Sequence, residues 1–135
     1  MTTAGPDTTA ETDTTAAITA TVTAYLDAVS RGSSADIAAL YAENGTLEDP
    51  VGSEPVSGRE AIAAFFGALE GRTQEIELLT LRVSGSSAAA FHFRVVTPMG
   101  DKIYEVSPID VMTFDENAKI TSTRAFWAPS DMIAR

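Results

Sequence analysis

Several polar side chains of this sequence, Tyr25, Tyr41, Asp49 and Asp110 among them, sit in apolar patterning, and groups aimed that way are its candidates for chemistry. In KIYEVSPIDVMTF (102–114) one face carries Tyr104, Val106, Pro108, Asp110, Met112 and Phe114. Asp110 therefore points with Met112 and Phe114 toward an apolar environment, where a carboxylate loses solvation and its pKa rises. A solvated sheet-edge aspartate, or one paired with an arginine such as Arg94, fits the same periodicity. In TLEDPV (46–51), Asp49 shares strand parity with Leu47 and Val51, while Thr46 and Glu48 take the other face. The alternative is a loop carboxylate before a proline. Tyr25 lies on the apolar stripe of a helical segment, so its hydroxyl needs a partner if buried; a core tyrosine with its tip in water or on a carbonyl fits the same pattern, and Tyr41 is in the same situation. Trp127, near the end of the last strand-like segment, reads as core. His92 alternates with Phe91 and Phe93, shares a face with Arg94, and reads as non-catalytic.

Composition narrows the chemistry to carboxylates, phenols and hydroxyls. The 135 residues fit one domain, and 44% hydrophobic residues suffice for a core. Nine Lys plus Arg against nineteen Asp plus Glu give a formal charge of −10. That balance excludes phosphate-backbone binding and docking on anionic lipid. No apolar run approaches the roughly 20 residues of a membrane span. Cysteine is absent and His92 is the one histidine, which removes thiolate chemistry and multi-His metal sites. Residues 2–15, TTAGPDTTAETDTT, have neither a basic nor an apolar targeting region. They predict a disordered tail over 1–14, a single domain over 15–135, and the cytoplasm as the default location.

The elements that must position these residues follow from periodicity. Ile18, Val22, Tyr25, Leu26 and Val29 form one helical face from near Thr15 to Arg31, with Gly32 as its stop. A second helix is expected with Ser34 as N-cap, Ile37, Leu40 and Tyr41 as its stripe, and Asn44-Gly45 as its end. Residues 46–51 read as a short strand or extended loop. A third helix opens at Ser57 with Glu60 completing a capping box; Ile62, Phe65, Phe66 and Leu69 form its stripe, and Gly71 ends it. The period then changes. Segments 74–83, 87–97, 102–114 and 119–127 read as long antiparallel strands joined by short turns. The prediction is an α+β fold, with three N-terminal helices on a strongly curved antiparallel sheet and a conical pocket between the layers.

The segments YAENGTLEDPVGSEPVSGREAIAAFF (41–66) and IDVMTFDENAKI (109–120), with AFW at 125–127, resemble the bacterial Δ5-3-ketosteroid isomerases. These belong to the cystatin-like superfamily named after nuclear transport factor 2. The likeness runs from about Ile18 to Trp127; its broader part also marks polyketide cyclases and dehydratases. The resemblance implies that Asp49 shuttles a proton, and that Tyr25 and a protonated Asp110 donate hydrogen bonds to the developing enolate oxygen. It implies Phe93 and Trp127, with Phe66 and Met112, as pocket lining, and Tyr41 as part of a supporting network. Phe66 stands where the family pattern has a tyrosine bonded to the catalytic tyrosine, so the link from Tyr41 to Tyr25 is broken there.

The implied reaction moves a double bond of a 3-oxo-Δ5-steroid into conjugation through a dienolate. One carboxylate can take and return the carbon proton, and two donors in a dry pocket can hold the charged oxygen, without metal or cofactor. The family's neutral donor carboxyl is itself a familiar worked example of such tuning. The resemblance also implies a homodimer through the outer sheet face, where Ile109 and Val111 point outward. Two rivals share the pattern: a polyketide cyclase or dehydratase, and a non-catalytic steroid-binding domain that needs no ionised Asp49.

Overall fold

The computed structural model describes residues 8–135 apart from Ser86, with side chains from Asp13 onward. The first helix, α1, runs Thr8–Arg31, so it begins before the expected Thr15. Ala10, Ala16 and Ala17 favour helix, and extending a helix already anchored by packing needs no new nucleus. Of the expected tail, residues 1–7 lie outside the described residues. Ile18, Val22, Tyr25, Leu26 and Val29 are all buried, as their spacing predicts. Gly32, at φ +67°, closes the helix: its N–H donates to Val29 O and that of Ser33 to Ala28 O. This is the Schellman arrangement. A side-chain carbon at Gly32 would collide with the carbonyl oxygens of Leu69 and Arg72, so the 69–72 loop rests directly on this helix end.

Helix α2 spans Ser34–Ala39, capped by Ser33 rather than Ser34; the Ser33 hydroxyl accepts from the Asp36 N–H. The stripe ends before Tyr41, which opens a strand, β1 (Tyr41–Glu48). Asn44-Gly45 therefore does not end a helix. It lies where β1 shifts register, with the Tyr41 ring and Ile120 O packed 3.0 Å from the position a Gly45 Cβ would take. A tight contact between ring and backbone, rather than a turn, explains this glycine. Val56–Ser57 form a short strand, β2, paired with β1. Ser57 thus belongs to the sheet, and Gly58 at φ +91° opens α3 (Arg59–Phe66) without a side-chain cap. The expected Ser57–Glu60 capping box is absent for that reason. A 3-10 turn, Gly67–Leu69, ends the helical stretch ahead of Gly71.

The remaining strands are β3 (Glu75–Ser84), β4 (Ala88–Met99), β5 (Lys102–Val106), β6 (Ile109–Phe114), β7 (Ile120–Phe126) and β8 (Ile133–Ala134). The expected single strand 102–114 is two, separated by Ser107-Pro108. Proline has no N–H for the ladder; the Pro108 carbonyl instead accepts a long bond from Phe93 N–H, at 3.3 Å. Both pieces pair antiparallel with the same edge of β4, β6 with its first half and β5 with its second, while β3 takes the other edge. The sheet order is β2-β1-β7-β6-β4-β5-β8. One pairing departs from the expected antiparallel sheet: β1 runs parallel to β7, which makes the sheet mixed. The helices cover one face, and the core of Ile18, Val22, Ile37, Tyr41, Leu47, Ile62, Phe91, Met112 and Ile120 lies between the layers. No helix among the described residues is long and apolar enough to cross a membrane.

Candidate active site

Register builds the site. On the inner face of the sheet Phe91 pairs with Asp110, and Asp110 with Ala125. Glu48 pairs with Arg124 in the parallel β1–β7 ladder, so Asp49, one residue on, comes level with Ala125. Val51 N–H donates to Ala125 O at 2.8 Å and fixes that alignment. Asp110 and Asp49 therefore flank β7 on either side of Ala125, two strand spacings or about 10 Å apart along the sheet. The methyl of Ala125 leaves the space above it open. Tyr25 and Val29, four residues apart on α1, face this ledge from the helical layer, and Phe66 comes from α3.

Together these side chains line a cavity of about 260 Å³. Tyr25, Asp49, Phe66, Phe93, Asp110 and Trp127 all lie on its wall, with Leu69, Val95, Val106, Pro108 and Met132. Met112 does not: it is fully buried in the core. Its strand parity is as expected, but its row sits deeper, beneath the packed helices, so it supports the pocket without lining it. Tyr41 is also fully buried off the wall, and its hydroxyl shares a 2.8 Å hydrogen bond with that of Thr123.

The two carboxyls have different surroundings. Asp110 is 2% exposed, and its Oδ1 has no hydrogen-bond partner among the described residues. Burial, and then the Asp49 charge, push its pKa well above the usual range. Arg94, the alternative partner, lies on the outer face and pairs with Glu77 and Glu105. Asp49 is half-buried rather than freely solvated. Burial raises its pKa as well, while a 2.7 Å hydrogen bond from Trp127 Nε1 to its Oδ1 pulls it down. Of two carboxyls that repel each other, the one holding a donor and nearer water ionises first. Asp49 is thus the more readily ionised of the two, and Asp110 is the one that keeps its proton to higher pH.

Tyr25 is held between two rings edge-on, Phe66 at 6.3 Å and Phe91 at 6.5 Å between centroids. Burial first, then Tyr41, Asp110 and Asp49, raise its pKa, so it stays a phenol. Tyr41 is raised too, by burial, against the lowering effect of its Thr123 bond. The site thus sets the more readily ionised carboxyl opposite a phenol and a second carboxyl that holds its proton more tightly, in an apolar chamber. That set can abstract a proton from carbon and hold the resulting oxyanion.

Gln74, Thr97, Thr123, Ala125 and Met132 were not singled out from the sequence. Thr97 continues the Phe91, Phe93, Val95 alternation onto the cavity wall, a signal the sequence does carry. Thr123 and Met132 depend on pairings far along the chain. His92 faces away, flanked in the sheet by Thr80 and Ile109.

Residues 22–123 match the sequence profile of the SnoaL-like domain. Over 118 residues the chain is 58% identical to a steroid Δ-isomerase of Nocardioides simplex, covering 87% of this chain and 95% of that one. Among solved structures, SalBIII, an epoxide hydrolase/cyclase-like enzyme of pyran ring formation in the polyether salinomycin, superposes with a TM-score of 0.78 at 26% identity. That match covers 85% of this chain and 93% of the other. A Mycobacterium tuberculosis protein superposes with a TM-score of 0.81 at 19% identity, covering 87% and 96%, and shares the fold.

Proposed function

Because this chain belongs to the SnoaL-like family and, within it, to the steroid Δ-isomerases, we propose that it isomerises a 3-oxo-Δ5-steroid to the conjugated 3-oxo-Δ4-steroid. The observation that carries the reading is the convergence of Tyr25, Asp49 and Asp110 on one apolar cavity, with Asp110 bare and Asp49 held by Trp127. The ionised Asp49 takes a proton from the carbon between ketone and alkene. The electron pair moves through the carbonyl carbon to oxygen, giving a dienolate. Tyr25 and protonated Asp110 each donate a hydrogen bond to that oxygen, and their neutrality lets them donate without adding charge. Asp49 then returns its proton to the far end of the dienolate. The carbonyl re-forms and the double bond is conjugated with it; atoms and charge balance with no co-reactant.

The ring walls support the same reading. Phe66, Phe93, Val95 and Trp127 offer flat apolar surface to a fused-ring substrate and exclude the water that would weaken both donors. On the outer sheet face, Ile109 and Phe126 form an exposed cross-strand pair, 47% and 42% accessible. That pair supports association of two copies through this face.

Mixing the protein with 5-androstene-3,17-dione and following enone absorbance tests the reaction. Enone forming far faster than in buffer is expected. Binding of the steroid without enone formation would leave a carrier, and the absence of both would overturn the assignment.

A further inference from the structure

Among the described residues only two buried side-chain atoms lack a hydrogen-bond partner: Asp110 Oδ1 and Gln74 Oε1. Both residues line the same cavity. The first is accounted for by the dienolate oxygen. The second has no role in proton transfer, yet Gln74 is 94% buried, with 6% of its surface exposed. Its Nε2 donates to Thr97 Oγ1 at 2.6 Å, and its backbone N–H to Ser30 O at 2.9 Å. The amide is therefore held from both ends, with its carbonyl unspent. Buried polar groups are almost always paired, so an isolated unpaired one marks a place where a ligand can supply the partner.

Strand β4 measures where this place lies. Phe91 is level with Asp110, and Phe93, Val95 and Thr97 follow on the same face, the last three on the cavity wall. Six residues at about 3.3 Å each give up to about 20 Å of strand, shortened in space by its bend and by the inward reach of Asp110 and Gln74. Polar groups thus stand at both ends of an apolar trough of fused-ring length.

We propose that Gln74, positioned by Thr97, is a specificity-determining residue that accepts a hydrogen bond from a hydroxyl on the substrate at the end opposite its 3-oxo group. This rests on the steroid reading above and narrows it: the preferred substrate class carries a distal hydroxyl rather than a distal ketone. A ketone there would set one carbonyl oxygen against another in a dry site. A hydroxyl gives the amide oxygen the donor it lacks.

The test compares testosterone with 4-androstene-3,17-dione, which differ only in that distal group, by quenching of the single Trp127. Binding is read independently of turnover. The wild type should favour testosterone by about 3- to 10-fold, the span of one neutral hydrogen bond. Gln74→Leu should bring the ratio near one, by weakening testosterone and relieving the carbonyl opposition that the dione meets. Thr97→Val, which frees the amide but leaves the backbone bond to Ser30, should shrink the ratio in the same direction and serves if the leucine variant does not fold. No preference in the wild type, or a preference unchanged in both variants, would overturn the proposal. Turnover of 5-androstene-3,17-dione in the same preparations separates the outcomes. Enone formation without a hydroxyl preference rejects the subsite alone, whereas no steroid binding rejects the subsite and the isomerase together.

Discussion

Glu48 and Asp49 are neighbours in the chain and opposites in state. The Glu48 carboxylate points outward, accepting from the Gly52 N–H at 2.9 Å and from Arg124 Nε at 3.0 Å. Those two donors, the backbone N–H first, hold its pKa below the ordinary range. Asp49 points inward, where burial outweighs the single donation from Trp127 and raises its pKa. One step along the chain, turning a side chain through the sheet, separates a carboxylate held by a backbone N–H and an arginine from a carboxyl with a single indole donor in an apolar cavity. An unsatisfied carboxylate is the better base, because protonation relieves what its surroundings withhold.

Neutralising the two carboxylates in turn gives the sharpest contrast. Asp49→Asn should lower kcat by about 10²- to 10⁴-fold, the usual contribution of a positioned base. Glu48→Gln should change it by less than about 3-fold, since a solvated ion pair contributes little. Enone-forming kinetics on both variants decide, and equal losses would break the comparison.

Asp110 extends the contrast to a carboxyl with no donor at Oδ1. Asp110→Leu should cost about 10²- to 10³-fold in kcat, as for removal of one oxyanion donor. Its raised pKa also fixes a sign. With its pKa pushed well above the usual carboxylate range, Asp110 keeps in the folded state a proton that the unfolded chain releases near 3.8. The stability this group contributes is therefore complete below that value and is lost as pH rises through the folded pKa. Melting temperatures of wild type and Asp110→Asn, compared from about pH 4 upward, should diverge in favour of the variant, which has no proton to lose. Parallel curves would mean an ordinary, ionised Asp110.

Phe66→Tyr places a hydroxyl beside the Tyr25 ring, where it can donate to the phenol oxygen and strengthen that phenol as a donor. One such bond, expressed fully in the transition state, raises turnover by about 2- to 10-fold. A double-mutant cycle with Tyr41→Phe, read in turnover and melting temperature, tests whether the rings form a chain. Additive effects would show that the Thr123 bond already holds Tyr41 apart from Tyr25.

Trp127→Phe should have the smallest effect on maximal rate. It removes the donor that lowers the Asp49 pKa, so the acid limb of kcat/KM should move to higher pH while the plateau changes little. An unmoved limb would mean that the indole does not tune the base.

The strand alternation made Asp110 legible in the sequence, because the break at Ser107-Pro108 preserves parity from Tyr104 to Phe114. Asp49 was legible in direction but not in surroundings. Those surroundings include the indole donor of Trp127, 78 residues away in sequence, and the parallel β1–β7 pairing, neither of which a local pattern encodes. Met112 shows the limit of parity: alternation identifies a face but not a depth. Tyr41 shows where helical periodicity misleads, since an apolar residue at the right spacing belongs instead to the strand that follows. The far end of the cavity went unread because Gln74 stands at the mouth of a segment, where position says nothing of what closes over it.

Gly32 gives the far end of the trough its dimension. The 69–72 loop lies against its bare backbone, with the Gly71 N–H donating to Gly32 O at 3.0 Å. Leu69, within that loop, and Gln74, just beyond it, are both cavity wall. The hydrogen atom at that one α-carbon therefore acts as a machinist's shim of minimum thickness. Any bulkier insert displaces the end wall while Asp49 and Asp110 at the other end stay put, so the length of the cavity is gauged at a residue that does not line it.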